Sequence, residues 1–241
     1  MKFGLYYLVF SGIILIRYFL VAGGTYLFFY SLGNQFLIKH QPSLQLPLVG
    51  WKSIKHDIQL SLLATVILAF CAAVVMVSYD LGITRLYISW NQYGLWYLGL
   101  SFVGILILQD TCFYFIHRLF HHPLLFKHLH SGHHYSTQPT PWTSFALDPA
   151  EALVQGLFLI FVIFVIPLHF VVLASLLLTM TFWAVLNHLG FELFKSSSVS
   201  HWLGKWFIGS TYHLIHHRKC LIHYGLYFTF WDRLLDTYDS N

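Results

Sequence analysis

Charge is what this chain has least of. Asp, Glu, Lys and Arg make up 9% of its 241 residues, against about 25% in a soluble globular protein, so the chain cannot coat itself for water. The shortage excludes a charged disordered segment and a coiled coil. It also excludes a free nucleic-acid binder, because 13 basic residues against 9 acidic ones are too sparse for a phosphate-binding face. Glutamate is scarcer still, with only Glu151 and Glu192. The three cysteines, Cys71, Cys112 and Cys220, have no close spacing, which excludes a disulfide scaffold. Cys71 and Cys112 lie in apolar runs and read as small core residues.

What is present is hydrocarbon and imidazole. Hydrophobic residues make up 57% of the chain, aromatics 19%, and the mean hydropathy is +0.65. A membrane span needs about 20 mostly apolar residues, and four regions qualify. They are Phe3 to Leu32, interrupted by Arg17; Ile58 to Tyr79; Gly94 to Ile116, with Asp110 near its end; and Ala152 to Asn187. The last is too long for one helix, and Pro167 with His169 divides it into a hairpin whose halves are short for full spans. The predicted fold is therefore all-α: a polytopic membrane helix bundle with a helical cap. Aromatic side chains are expected at the lipid and its interfaces, and Arg17 is expected to snorkel.

Basic residues set the orientation. If the segment after the third span is cytoplasmic, ten of the thirteen lie inside, and Lys2 and Arg85 lie outside. The hairpin then returns the chain to the side it left, so residues 117–150 and 188–241 share the cytoplasmic face. Of the 16 histidines, only His40 and His56 precede position 117. His169 at the hairpin tip reads as an interfacial polar residue, and the rest fall on that one face.

Three clusters carry metal-ligand spacing. They are His117 and His121 in HRLFH; His130, His133 and His134 in HSGHH; and His213, His216 and His217 in HLIHH. Residues three or four apart share a helix face, so each HxxHH is expected to align its first imidazole with both later ones. Eight imidazoles exceed what one ion takes and suit two ions close together. His122 is about 140° around the helix from His117, and His128 also points away. Imidazole alone accommodates several transition metals. The glutamates do not form the Glu-x-x-His pairs of soluble diiron bundles, and no HExxH hydrolase motif occurs, so a bimetal site here is built from histidine. Two irons using dioxygen against unactivated C–H bonds fit that ligand set. A membrane metal-ion carrier and a bis-histidine haem electron-transfer protein remain alternatives. A carrier is expected to hold ionisable residues at mid-membrane, and a haem protein has no need of HxxHH.

The segment DTCFYFIHRLFHHPLLFKHLHSGHHYSTQPTPW (110–142) resembles the signature of the fatty acid hydroxylase/sterol desaturase superfamily. FALDPAEALVQG, NHLG, YHLIHH and HYGLYFTFWDRLLDT continue the likeness in order. PTPW and the final motif are most similar to the lathosterol oxidase branch. The resemblance implies an oxidoreductase with a non-haem diiron centre on His117, His121, His130, His133, His134, His213, His216 and His217, with His188 of NHLG as a ninth ligand. It implies dioxygen as cosubstrate and a sterol-like, isoprenoid or fatty acyl lipid as substrate. It also implies an external electron donor, cytochrome b-type or ferredoxin-type, with its reductase, since no electron-transfer domain is recognised in the chain. Residues 1–93 are then N-terminal transmembrane helices and residues 94–241 the catalytic domain. The chain departs from the family at Asp148, where His precedes Pro, and at His223, where Asn precedes Tyr-Gly. Asp110 is expected to orient a ligand imidazole, and Asp232 and Arg233 to brace the cap. His201 carries no assigned role.

Overall fold

The computed structural model describes residues 1–32, 49–192 and 204–239. Among them, eight helices follow one another: α1 Lys2–Leu32, α2 Trp51–Asp80, α3 Leu95–Phe120, α4 Pro123–Leu129, α5 Pro149–Val165, α6 Phe170–Asn187, α7 Ser210–Lys219 and α8 Phe230–Leu234. Helices α1, α2, α3 and α6 are long and apolar enough to cross a membrane. Their outer faces expose Leu8, Phe70, Ile107 and Phe182, which water would penalise and lipid accepts. The chain is an integral membrane helix bundle.

Helices α1 and α2 run antiparallel. At one end of the pair Lys2 Nζ lies 2.9 Å from Asp80 Oδ2, and Tyr6 donates to the same oxygen. Helix α2 then packs on α5, where Gly156 lies so close to Cys71 that a side chain would not fit. Cys71 is buried and unpaired, a small core residue as its apolar setting suggested.

The hairpin expected within 152–187 is present. Helix α5 ends at Val165, and Leu168–His169 pairs in parallel with Leu86–Tyr87 of the loop before α3. His169 at this tip is buried. Its Nε2–H donates to the Ile88 carbonyl at 2.7 Å, and its Nδ1 accepts from the Val171 N–H at the start of α6. Around this tip Ile105, Val162, Ile163, Leu168 and Leu176 form one apolar core. Towards the other end Ile14, Tyr18, Ala22, Phe145 and Val185 form a second.

Helix α1 is not uniform, since Phe19–Gly23 and Leu27–Leu32 wind as π-helical turns. Trp142 fills the first of these, packing on Tyr18 and Phe19, and Tyr18 Oη donates to the Trp142 carbonyl. A side chain at Gly23 would meet the Trp142 ring. Wider turns of this kind often accommodate such an insertion near functional sites. Helix α1 thereby reaches across to the 133–147 segment, which carries His133 and His134.

Candidate metal centre

All nine histidines named above converge at the end of the bundle opposite the hairpin tip. His117 and His121 occupy the last turn and cap of α3. His122 faces away, and its ring instead accepts from the Leu124 N–H to cap α4, with Pro123 at the first helical position. Helix α4 ends at His130, and the next turn is the short 3₁₀ segment His133–Tyr135. That turn is set by Asp148, whose carboxylate accepts from the backbone N–H of Gly132 and His133 at 2.8 and 3.1 Å. A side chain at Gly132 would strike that carboxylate. Helix α7 presents His213, His216 and His217, and closes at Cys220 in a left-handed conformation, φ 60°.

The imidazoles sort into two groups. His117, His121, His130, His134 and His216 form one, and His133, His188, His213 and His217 the other. Within each, one ring nitrogen per residue lies within 4.8 Å of all the others. The triplets do not behave as their spacing suggested. In both, the residues four apart stay together, whereas the one at the third position joins the other group. Helix geometry explains this at α7, where residues three and four apart diverge by about 100° around the axis. At 130–134 the backbone is not one helix, and the 3₁₀ turn turns His133 away from His130 and His134.

Six rings are fixed by a hydrogen bond from Nδ1. His117 donates to Tyr224 O, His133 to Ala146 O, His188 to Ala184 O, His216 to Ile222 O and His217 to Ser136 O, all at 2.7–3.1 Å. His130 donates to Glu151 Oε2 at 3.0 Å. A carbonyl only accepts, so the proton sits on Nδ1 and Nε2 presents a bare lone pair, as metal-ligating histidines commonly do. Yet His188 Nε2 lies 3.4 Å from His133 Nε2, and both rings are held by carbonyls. Lone pairs this close repel unless a cation is shared between them. Around a metal about 2.1 Å from each nitrogen, adjacent octahedral ligands are about 3.0 Å apart and tetrahedral ones about 3.4 Å. The donor set therefore fits metal ions.

Electrostatics agree. Burial pushes His130, His133, His134, His213, His216 and His217 below the usual imidazole range, and takes His121 and His188 down to about 3. All eight are neutral and able to ligate at physiological pH.

The supports come from distant parts of the chain. Asp57 on α2, fully buried, accepts from Ser136 Oγ and Thr143 Oγ1, each at 2.7 Å. Ser136 itself offers the carbonyl that holds His217, and Thr143 lies three residues before Ala146, whose carbonyl holds His133. Asp110 does not touch an imidazole, contrary to expectation. Its Oδ1 accepts from the backbone N–H of Leu226, Tyr227 and Phe228, and Asp232 takes those of Tyr224 and Gly225. Five consecutive amides are thus held by two carboxylates, and the loop they shape offers the Tyr224 carbonyl to His117. Asp232 braces the cap as expected; Arg233 donates to Lys205 O and stacks 3.9 Å over Tyr238. His223 stands outside both groups, packed on Tyr212, and burial lowers it to about 4. His128 is exposed. His40 and His201 lie outside the described residues.

A cavity of about 520 Å³ leads to this centre. Helices α1, α2, α5 and α6 supply its apolar wall, and His117, His130, His133, His188 and His213 close its end. Its size is that of a small-molecule site.

The family model for fatty acid hydroxylases matches residues 102–237, more than half of the chain. The chain belongs to the fatty acid hydroxylase family. It is 37% identical to lathosterol oxidase of Homo sapiens over 142 residues, which cover 59% of this chain and 46% of that protein. It is 30% identical over 179 residues to a Delta(7)-sterol 5(6)-desaturase of Gibberella zeae, covering 74% of this chain and 54% of the relative. A Delta(7)-sterol 5(6)-desaturase of Leptosphaeria maculans is 29% identical over 225 residues, covering 92% and 58%. The likeness to the lathosterol oxidase branch is therefore present. The chain spans about half the length of the curated relatives it matches. No solved structure matches it.

The sequence reading named the nine histidines but not Asp57 or Glu151 as their supports. Glu151 carried one signal: it is an acid two residues beyond Pro149, entering an otherwise apolar run. A buried carboxylate there needs a polar partner. Asp57 had no such cue, since its partners lie 79 and 86 residues away.

Proposed function

We propose that this family member is a membrane oxidoreductase that hydroxylates or desaturates a lipid with dioxygen. His117, His121, His130, His134 and His216 would hold one iron, and His133, His188, His213 and His217 the second. Bound there, iron supplies the redox chemistry that activates dioxygen against a C–H bond. The supporting observation is the placement of two converging sets of bare imidazole nitrogens at the closed end of an apolar cavity. Residues 94–241 act as the catalytic unit, and residues 1–93 complete the cavity wall.

The residues divide the work. The backbone acceptors hold His117, His133, His188, His216 and His217 in one tautomer, which limits reorganisation as charge changes at the centre. The hydrocarbon wall excludes water and aligns one C–H bond with the histidines. No side chain needs to act as a nucleophile. Hydroxylation consumes one dioxygen, two electrons and two protons and yields one alcohol and one water. Desaturation uses the same inputs and yields one alkene and two waters. An external carrier, cytochrome b-type or ferredoxin-type, with its reductase, provides the electrons. The relatives' names favour a rigid sterol-like or isoprenoid substrate over a fatty acyl chain.

The histidine end is assigned to the cytoplasm on its share of basic residues. Reporters fused after Asn241 and near Gln138 are expected to read cytoplasm, and one near Arg85 the opposite side. A split between the first two would overturn the single-site assignment. The reaction is tested by metal content, optical spectrum and untargeted lipid analysis of cells with and without the protein. Two irons without a Soret band are expected, with a lipid pair differing by one oxygen or two hydrogens. A product of hydrolysis, or a pair formed without oxygen, would refute the proposal.

A further inference from the structure

Arg17 is the only charged residue between Phe3 and Leu32. A guanidinium in a membrane helix normally pairs with an acid or snorkels to the interface. Here Arg17 is half-buried and faces a cavity. Its Nε is buried without a hydrogen-bond partner, and no acidic side chain pairs with it among the described residues. Its guanidinium carbon lies 5.3 Å from the Phe145 ring centre. Arg17 lines the same cavity that ends at His117, His133, His188 and His213.

Most other polar groups on that wall are already used. Ser144 donates to Pro141 O and Thr181 to Leu177 O, Asn187 Nδ2 donates to Leu226 O, and Glu151 accepts from His130. Asn187 Oδ1, like Arg17 Nε, is unpartnered. Arg17 is the one Lys or Arg on that wall, whose remaining polar side chains are neutral amides and hydroxyls, Glu151 and the imidazoles. Such a donor is costly unless the occupant brings an acceptor.

Resting on the reading above, we infer that Arg17 is a specificity-determining residue that takes an oxygen acceptor at the polar end of an amphipathic lipid. Its position favours the oxygenated end lying towards the centre. Phe145, which the guanidinium covers, directly precedes Ala146, whose carbonyl holds His133. The C–H bond that reacts then lies near the lipid's oxygen rather than at its far tail.

A sterol hydroxyl and a fatty acid carboxylate share this chemistry, and paired probes distinguish them. Equilibrium binding to the full chain, metal-free in detergent, compares a sterol alcohol with the same nucleus lacking its hydroxyl, and palmitate with hexadecane. The wild-type chain should prefer the oxygenated member of at least one pair by about tenfold or more, and the preferred pair identifies the head group. Arg17→Met should remove that preference and leave hydrocarbon affinity unchanged, whereas Arg17→Lys should keep part of it. Arg17→Leu, which also lacks a donor, gives the same comparison if Arg17→Met does not fold. No preference in the wild-type chain, or an equal loss for both members of a pair, would overturn the inference. Because binding is read without metal or turnover, failure of the redox reading would leave this result intact.

Discussion

Asp57 shows how far a single carboxylate can act. It lies on α2, outside every histidine motif, and holds two hydroxyls that belong to the 133–147 segment. Without it, buried Thr143 loses its acceptor, at a cost of about 1–3 kcal/mol, and Ser136 keeps only its contact with Ser53. Asp57→Ala is therefore expected to lower both the unfolding temperature and the iron retained per chain, although Asp57 touches no imidazole. Iron content after dialysis against a weak chelator is the measurement; unchanged retention would mean that the 3₁₀ turn holds itself. Glu151 acts more directly, through a hydrogen bond between its carboxyl group and the clustered imidazole of His130. At this scale the histidines were legible, because their spacing is local in the chain. Their supports were not, because the bonds of Asp57 and Asp110 join positions separated by 79 to 118 residues.

At the scale of elements, the apolar runs foretold the spans and the hairpin break, since length and hydropathy are properties of a short window. The pin at the hairpin tip was not foretold. His169 caps α6 and ties it to the loop before α3, where Leu86–Tyr87 and Leu168–His169 align. His169→Ala removes one acceptor and one donor there, each worth about 1 kcal/mol. A lower unfolding temperature with full metal content is expected, because the pin lies at the opposite end from the histidines. Metal loss in this variant would mean that the two ends are coupled through α5 and α6. The HxxHH segments carry the other lesson at this scale. Even on the continuous helix α7 the roughly 100° between residues three and four apart separates His216 from His213 and His217, and at 130–134 the backbone is not one helix at all.

Across the whole molecule, a cluster of buried neutral imidazoles makes the fold sensitive to acid. Burial lowers the folded-state values of eight histidines, two of them to about 3, whereas the unfolded chain titrates near pH 6.5. Below about pH 6.5 the unfolded chain binds more protons than the folded one, so stability falls as pH falls towards the folded values. Unfolding midpoints of the metal-free protein in detergent should drop steadily between about pH 7 and about pH 5. A flat profile would mean that the imidazoles are hydrated and titrate normally.

The interleaving of the triplets has a further consequence for how the two seats fill. His133 is carried on the same short segment as His130 and His134, and His216 on the same helix as His213 and His217, so neither group can be ordered alone. An ion held by the first group would also fix the backbone presenting the second, so a second ion would meet ligands whose ordering entropy is already spent. That is positive linkage between the seats, for which coupling of about 1–3 kcal/mol is typical. Half-loaded chains should be scarce. Titration with ferrous iron is expected to give one steep step with a Hill coefficient above one, and a chelator should remove both ions together; two separated steps would show that the seats fill independently.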